Sequence, residues 1–244
     1  MHASAELSLP CDDRDFSEWH QGCPWCAVWV VWLDDAATRQ AVAAGRAALG
    51  DCLLPRYARQ PHITVAYRGL CADGDAHEAG EFGLQALRRD LGLLKSLAQQ
   101  PFVLQLGGVG SFTSVPYLAV VEGGEALAAL HAALVPQQPV PGWHYVPHVT
   151  LGHYGQRLPL AQALQKLKEQ QELGEGLPPQ PVGQLALVRY ASADMAGPLV
   201  LEGCFDLAAG RYSAAPGALW TEPGDVQAQA SVSATSMLPR VALE

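Results

Sequence analysis

Charge is scarce in this chain, and positive charge is scarcer than negative. Only 16% of the 244 residues are charged, with 15 Lys and Arg against 24 Asp and Glu, a formal charge of −9. Long nucleic acid is held through many phosphate-neutralising cations, so a long duplex is not an expected partner, whereas a small or end-bound phosphodiester is not excluded. Long apolar runs are also missing. The densest, Ala27 to Leu33, falls far short of the roughly 20 residues of a membrane helix, and no basic segment followed by an apolar stretch opens the sequence. We expect a soluble, cytoplasmic protein without membrane contact. Six cysteines in such a chain are expected to be free thiols in a reducing compartment.

Apolar residues make up 49% of the chain, enough for one sizeable domain or two small lobes. Residues 1–23 mix acids with Ser, Pro and Gly and show no period, which predicts an irregular lead-in. Ala27 to Leu33 then reads as a central strand, and Asp34-Asp35 opens an alanine-rich helix that Gly50 stops. Helical spacing returns over Phe82 to Leu97, Ala126 to Leu134 and Leu160 to Leu173. Strands are predicted over Pro61 to Arg68, Phe102 to Leu106, Tyr117 to Val121, Tyr145 to Tyr154, Val182 to Tyr190 and Leu199 to Leu207. The element types largely recur, which predicts an α+β fold of two similar lobes with antiparallel sheets flanking a central cleft. The ordered domain is expected over residues 24–208. From residue 209 to 244 the sequence turns to Ala, Ser, Pro, Gly and Gln, the composition of a flexible tail.

One phrase occurs twice. Pro61-His62-Ile63-Thr64-Val65 and Pro147-His148-Val149-Thr150-Leu151 lie 86 residues apart, and each is followed by glycine. Their period of two places His and Thr on one strand face and the aliphatic residues on the other. Two such strands side by side would offer one substrate two imidazoles for proton transfer and two hydroxyls for hydrogen bonds.

Paired His-x-Thr strands in this order of elements resemble the two-histidine (2H) phosphoesterase superfamily, in particular its bacterial 2′-5′ RNA ligase and RNA 2′,3′-cyclic phosphodiesterase branch. The resemblance covers about Cys26 to Leu207, is strongest at Pro61 to Gly69 and Pro147 to Gly155, and extends to Gly108-Val109-Gly110-Ser111-Phe112. It implies a bilobal α+β fold with pseudo-twofold symmetry, His62 and His148 as the catalytic pair, and Thr64 and Thr150 as phosphate-binding hydroxyls. It also implies no metal or other cofactor, and RNA ends or small nucleotides as substrate. Family members often place Arg shortly after the second motif, where this chain has His153, a residue that a regular strand would turn away from His148. The chemistry implied is hydrolysis of 2′,3′-cyclic phosphates or 2′-5′ linkages, the alternatives being reversible 2′-5′ ligation and a silent nucleotide-binding module. We expect a monomer.

Other residues are possible contributors to substrate binding. Arg56, Arg59 and Arg68 flank the first motif and could clamp phosphate or be solvated loop arginines. Tyr57, Tyr67, Phe112, Trp143 and Tyr145 could stack on a base or pack in the core, and His153 could contact substrate. Cys23-Pro24-Trp25-Cys26 has redox spacing and, with His20 and Cys11, offers a zinc or redox alternative, although the pair precedes a strand and lacks a second ligand pair. His2, His77, His131 and His144 have no partners at diagnostic spacing, and surface or structural roles suffice for them.

Overall fold

A computed structural model describes residues 6–72, 81–136, 144–170, 173 and 176–221. In chain order its elements are α1 (Ser17–His20), β1 (Trp25–Trp32), α2 (Ala36–Leu49), β2 (His62–Leu70), α3 (Leu84–Leu97), β3 (Phe102–Ser111), β4 (Pro116–Glu122), α4 (Gly124–Leu134), β5 (His148–Thr150), α5 (Leu160–Lys168), β6 (Gln180–Val182), β7 (Gln184–Ala191), β8 (Val200–Asp206) and β9 (Arg211–Ala214). The fold is α+β, as the sequence predicts.

The apolar run Ala27 to Leu33 is continuous because β1 lies inside the sheet and is covered on both faces. All strand pairs are antiparallel, and the order is β6-β3-β4-β5-β2-β1-β7-β8-β9. The two expected lobes are thus halves of one sheet, joined where β2 meets β5. Each half repeats a strand, a helix and a His-x-Thr strand: β1-α2-β2 in one and β4-α4-β5 in the other. The repeated strands are therefore neighbours at the centre, although far apart in sequence.

The four long helices cover one face. Asp35 caps α2, its side chain accepting from the Thr38 amide at 3.0 Å, and Gly50 ends it. Leu49, Leu87, Leu91, Leu94, Leu127, Leu130 and Leu167 from these helices join Trp29, Ile63, Leu118 and Val149 from the strands in one buried core. Full burial of each such side chain is worth about 1.5–3 kcal/mol, so the helical layer locks the sheet register that the site depends on. The other face is open except where residues 192–199 return over Val28, Val30 and Val188.

The chain remains ordered past residue 209, contrary to the expected tail. Strand β9 pairs with β8, and Trp220 is buried edge-on against Phe82 at 5.2 Å. Four strand residues and one distant tryptophan are too few to register as periodicity. Residues 222–244 lie outside the described residues, as do His2, His77 and Trp143. Among the described residues, no helix is long and apolar enough to cross a membrane.

Candidate functional site

The two motifs meet through a single backbone pairing. Ile63 of β2 stands opposite Val149 of β5, and both are fully buried towards the helices. Antiparallel geometry then sets His62 beside Thr150 and Thr64 beside His148, with all four side chains on the open face. Each motif's imidazole lies next to the other motif's hydroxyl.

Both imidazoles are held in the same way. His62 Nδ1 lies 2.8 Å from the carbonyl of Gln60, and His148 Nδ1 lies 2.7 Å from the carbonyl of Val146. A carbonyl only accepts, so each Nδ1 carries its proton and each Nε2 is left to exchange one. His62 is the more buried, and burial pushes its pKa down to about 4, helped by the nearby charges of Arg59 and His148 and opposed by the Gln60 hydrogen bond. Burial also lowers the pKa of His148, against its hydrogen bond to Val146.

Support comes from aromatic rings. Tyr117, opposite Thr150 on β4, lies 5.1 Å from the His148 ring, and Phe112 lies 5.1 Å from the same ring. Gly110 makes this possible: a Cβ there would come within 2.3 Å of the Tyr117 ring. Beside them is a cavity of about 490 Å³ walled by Thr64, Tyr67, Phe112, His131, Tyr145 and His148. Tyr145 donates to the Thr64 carbonyl at 2.9 Å and stacks on His131 at 4.2 Å. Phe112, Tyr67 and Tyr145 thus all reach the cavity, as the sequence allows. His131 was missed as a wall residue; the available signal was its place among Leu127, Leu130 and Leu134 on the buried face of α4.

The three arginines part company. Arg68 is turned away from the site: its terminal nitrogens bond Asp90 at 2.8 Å and the Leu134 carbonyl at 3.0 Å, beneath the helices. The cause is a bulge. Trp29 pairs with Ala66 while Val30 pairs with Thr64, so Val65 is an extra residue and the alternation slips by one. Tyr67, instead of Arg68, joins the face of His62 and Thr64. Arg56 is an ion-pair tether, bonding Asp13 at 2.7 Å and Asp194 at 2.6 Å. Arg59 stays with the site, its guanidinium 4.0 Å over the ring of Tyr190.

His153 departs from the regular-strand expectation because β5 stops at Thr150. Gly152 follows with φ +155, and a Cβ there would lie 2.6 Å from Arg46 Nη1. Past this break His153 packs edge-on against Tyr57 at 5.5 Å, and Tyr57 is hydrogen-bonded to Thr150. Both residues therefore buttress the second motif.

The cysteine alternative does not assemble. Cys26 is buried in β1, the Cys23 thiol meets the Cys71 carbonyl at 3.1 Å, and His20 bonds Asp15 at 2.6 Å. Among the described residues, no group of three His, Cys, Asp or Glu side chains is placed to hold a metal ion.

Two imidazoles with free Nε2 atoms and two hydroxyls on one sheet face define a two-histidine site. The chain belongs to the 2′-5′ RNA ligase superfamily, which matches residues 34–194. Among solved structures it is similar to TT0787 of Thermus thermophilus, at 20% identity over 75% of this chain and 98% of that one, with a TM-score of 0.46. It is also similar to E. coli LigT complexed with phosphate, at 19% identity over 79% and 95% with a TM-score of 0.43. Similarity extends to E. coli LigT complexed with 3′-AMP, at 19% identity over 69% and 98%, TM-score 0.43. Among curated proteins, none matches the sequence.

Proposed function

We propose that this protein is a metal-independent phosphodiesterase that opens 2′,3′-cyclic phosphates or cleaves 2′-5′ linkages, acting on RNA ends or small nucleotides. One observation carries the reading: both imidazoles are pinned through Nδ1, leaving both Nε2 atoms free on the face that presents Thr64 and Thr150. Displacement at phosphorus requires an attacking water to lose a proton on one side while the leaving alkoxide gains one on the other. Two imidazoles supply both transfers, provided that one starts neutral and the other charged.

His62 is the deeper of the pair, which favours its neutral form, so we assign it as the base. Its Nε2 takes the water proton as the new P–O bond forms. His148, at the cavity wall, is the acid: its Nε2 gives a proton to the departing ribose oxygen as the old P–O bond breaks. This reverses the order that the motifs alone suggest, in which His148 would be the base. Thr64 and Thr150 donate to the non-bridging oxygens and stabilise the charge that develops there. Ligation of an RNA 2′,3′-cyclic phosphate end to a hydroxyl would use the same groups in reverse.

The test is hydrolysis, in EDTA, of a nucleoside 2′,3′-cyclic phosphate and of a short RNA ending in one, beside the His62→Ala/His148→Ala double variant. Turnover by wild type alone, giving a 2′-phosphate by phosphorus NMR, is the expected result. Turnover that survives in the double variant, or that the chelator abolishes, would overturn the mechanism.

A further inference from the structure

Two cavities share the ring of Tyr67. One is the cavity beside His148; the other, of about 390 Å³, is lined by Phe16, Trp19, Tyr67, Tyr190 and Met195. Three of those walls are broad aromatic faces, and Trp19 and Tyr67 are 40% and 49% exposed, an unusual state for large rings unless something stacks on them. Phe16 and Trp19 come from the segment around α1, which precedes the family match at residues 34–194. That segment is tied in place by several contacts. Arg56 joins Asp13 to Asp194, Asp15 bonds the buried His20, and Arg14 pairs with Glu18 while lying 3.9 Å over Phe16. Most of these charges are half exposed, so they fix position more than they add stability.

Arg59 connects this second cavity to the histidine pair. Its guanidinium stacks on Tyr190, a wall residue, yet Nε and Nη2 are buried without a hydrogen-bond partner among the described residues. Leaving buried donors unmade is costly, and a guanidinium offering two adjacent N–H groups matches the oxygens of a phosphate. Arg59 is also close enough to the imidazoles to act on them: after burial itself, its charge is a further cause that lowers the pKa of His62 and of His153.

We propose that Phe16, Trp19, Tyr67 and Tyr190 form a second nucleoside-binding subsite, with Arg59 holding the phosphate that joins it to the nucleoside in the first cavity. The inference rests on the phosphodiesterase reading and narrows its substrate class: the preferred ligand carries a nucleoside on each side of the phosphorus, as a 2′-5′-linked dinucleotide does. Stacking on aromatic faces tolerates any base, so the subsite selects for the presence of a second nucleoside more than for its identity.

Calorimetric titration of the His62→Ala/His148→Ala protein, which does not turn substrate over, separates the two readings. The probes are a 2′-5′-linked diadenylate and adenosine 2′-monophosphate. The dinucleotide is expected to bind at least about tenfold tighter, the scale of one base stacked on an aromatic side chain. Trp19→Ala in the same background should erase most of that advantage, and Trp19→Phe should keep it. Arg59→Gln should weaken both probes about tenfold or more, because the phosphate is common to them. Melting temperatures of the variants identify any that have lost their fold, and Trp19→Phe remains informative if Trp19→Ala is one of these. Equal affinity for the two probes, or a Trp19→Ala loss shared equally by both, would overturn the subsite. A dinucleotide advantage in a protein whose wild type hydrolyses nothing would leave the subsite standing and remove the catalytic reading; hydrolysis without that advantage would do the reverse.

Discussion

Arg59 and Arg68 flank the same motif yet lie on opposite faces of one sheet. Under the helices, Arg68 gives both terminal nitrogens to Asp90 and the Leu134 carbonyl, while Asp90 also accepts from the indole of Trp29 at 2.8 Å. That network ties β1, β2, α3 and α4 together. On the open face Arg59 keeps two buried N–H donors unspent, and His62 and His148 keep their Nε2 atoms unspent beside it. Polar groups that satisfy each other hold a fold together; polar groups left unsatisfied in a concavity are held for a ligand. The contrast predicts that changes on the two faces fail differently.

The largest effect belongs to the open face. Either His62→Ala or His148→Ala should lower the hydrolytic rate roughly 10²- to 10⁴-fold, with little change in melting temperature. Steady-state kinetics beside a thermal melt checks both halves of that statement. Asp90→Ala should do the opposite. Removing one partner of a buried pair leaves Arg68 uncompensated, which should cost about 3 kcal/mol of stability in denaturant unfolding, while the fraction still folded keeps its turnover. If Asp90→Ala lost activity without losing stability, the division between the faces would be wrong.

The two faces also titrate in opposite senses. Burial raises the Asp90 pKa to about 6 despite the opposing charge of Arg68, so below pH 6 the folded chain binds a proton that the unfolded chain has released; this contribution is lost as pH rises from about 4 to 6. Burial lowers His62 to about 4, so the unfolded chain binds more protons between about 4 and 6.5, and stability is lost as pH falls through that window. In wild type the two contributions oppose each other. Asp90→Asn should leave stability rising with pH across the window, and His62→Ala should leave it falling, by chemical denaturation at stepped pH. The same depressed imidazoles place the free-enzyme kcat/KM optimum on the acid side of neutrality, with an acidic limb near 4 set by His62. An alkaline limb below 6.5 follows from His148, and binding of an anionic substrate should move both limbs upward in kcat.

The repeated phrase was legible because it carries its own geometry. Period two put His62 with Thr64 and His148 with Thr150, and burial of Ile63 and Val149 confirms the alternation. What escaped was whatever depends on breaking that period. The Val65 bulge reverses Tyr67 and Arg68, and the stop at Thr150 brings His153 back against Tyr57; neither leaves a signature in residue types. The partners of Arg56, Asp13 and Asp194, lie on opposite sides of it in the chain and far from it, and His131 reaches the cavity only because α4 packs across β2. Contacts between distant segments are set by packing, and local pattern does not encode them.

The smallest of these effects tests how the second motif is held. Gly110 lies opposite Tyr117 on the neighbouring strand, and an added Cβ would reach within 2.3 Å of its ring. Gly110→Ala must therefore push the ring sideways, and the ring's neighbours are His148 at 5.1 Å and Phe112 at 4.8 Å. Overpacking of this kind costs about 1–3 kcal/mol, less than the loss of Asp90. A displaced His148 no longer meets the leaving oxygen squarely, so kcat should fall by about tenfold, because positioning error of that scale is felt at the transition state. Tyr117→Leu in the same background removes the clash and should restore most of the lost stability without restoring the rate, since the ring that supports His148 is then gone. Recovery of both together would show that Tyr117 only fills space, and that His148 is held by its Val146 hydrogen bond alone.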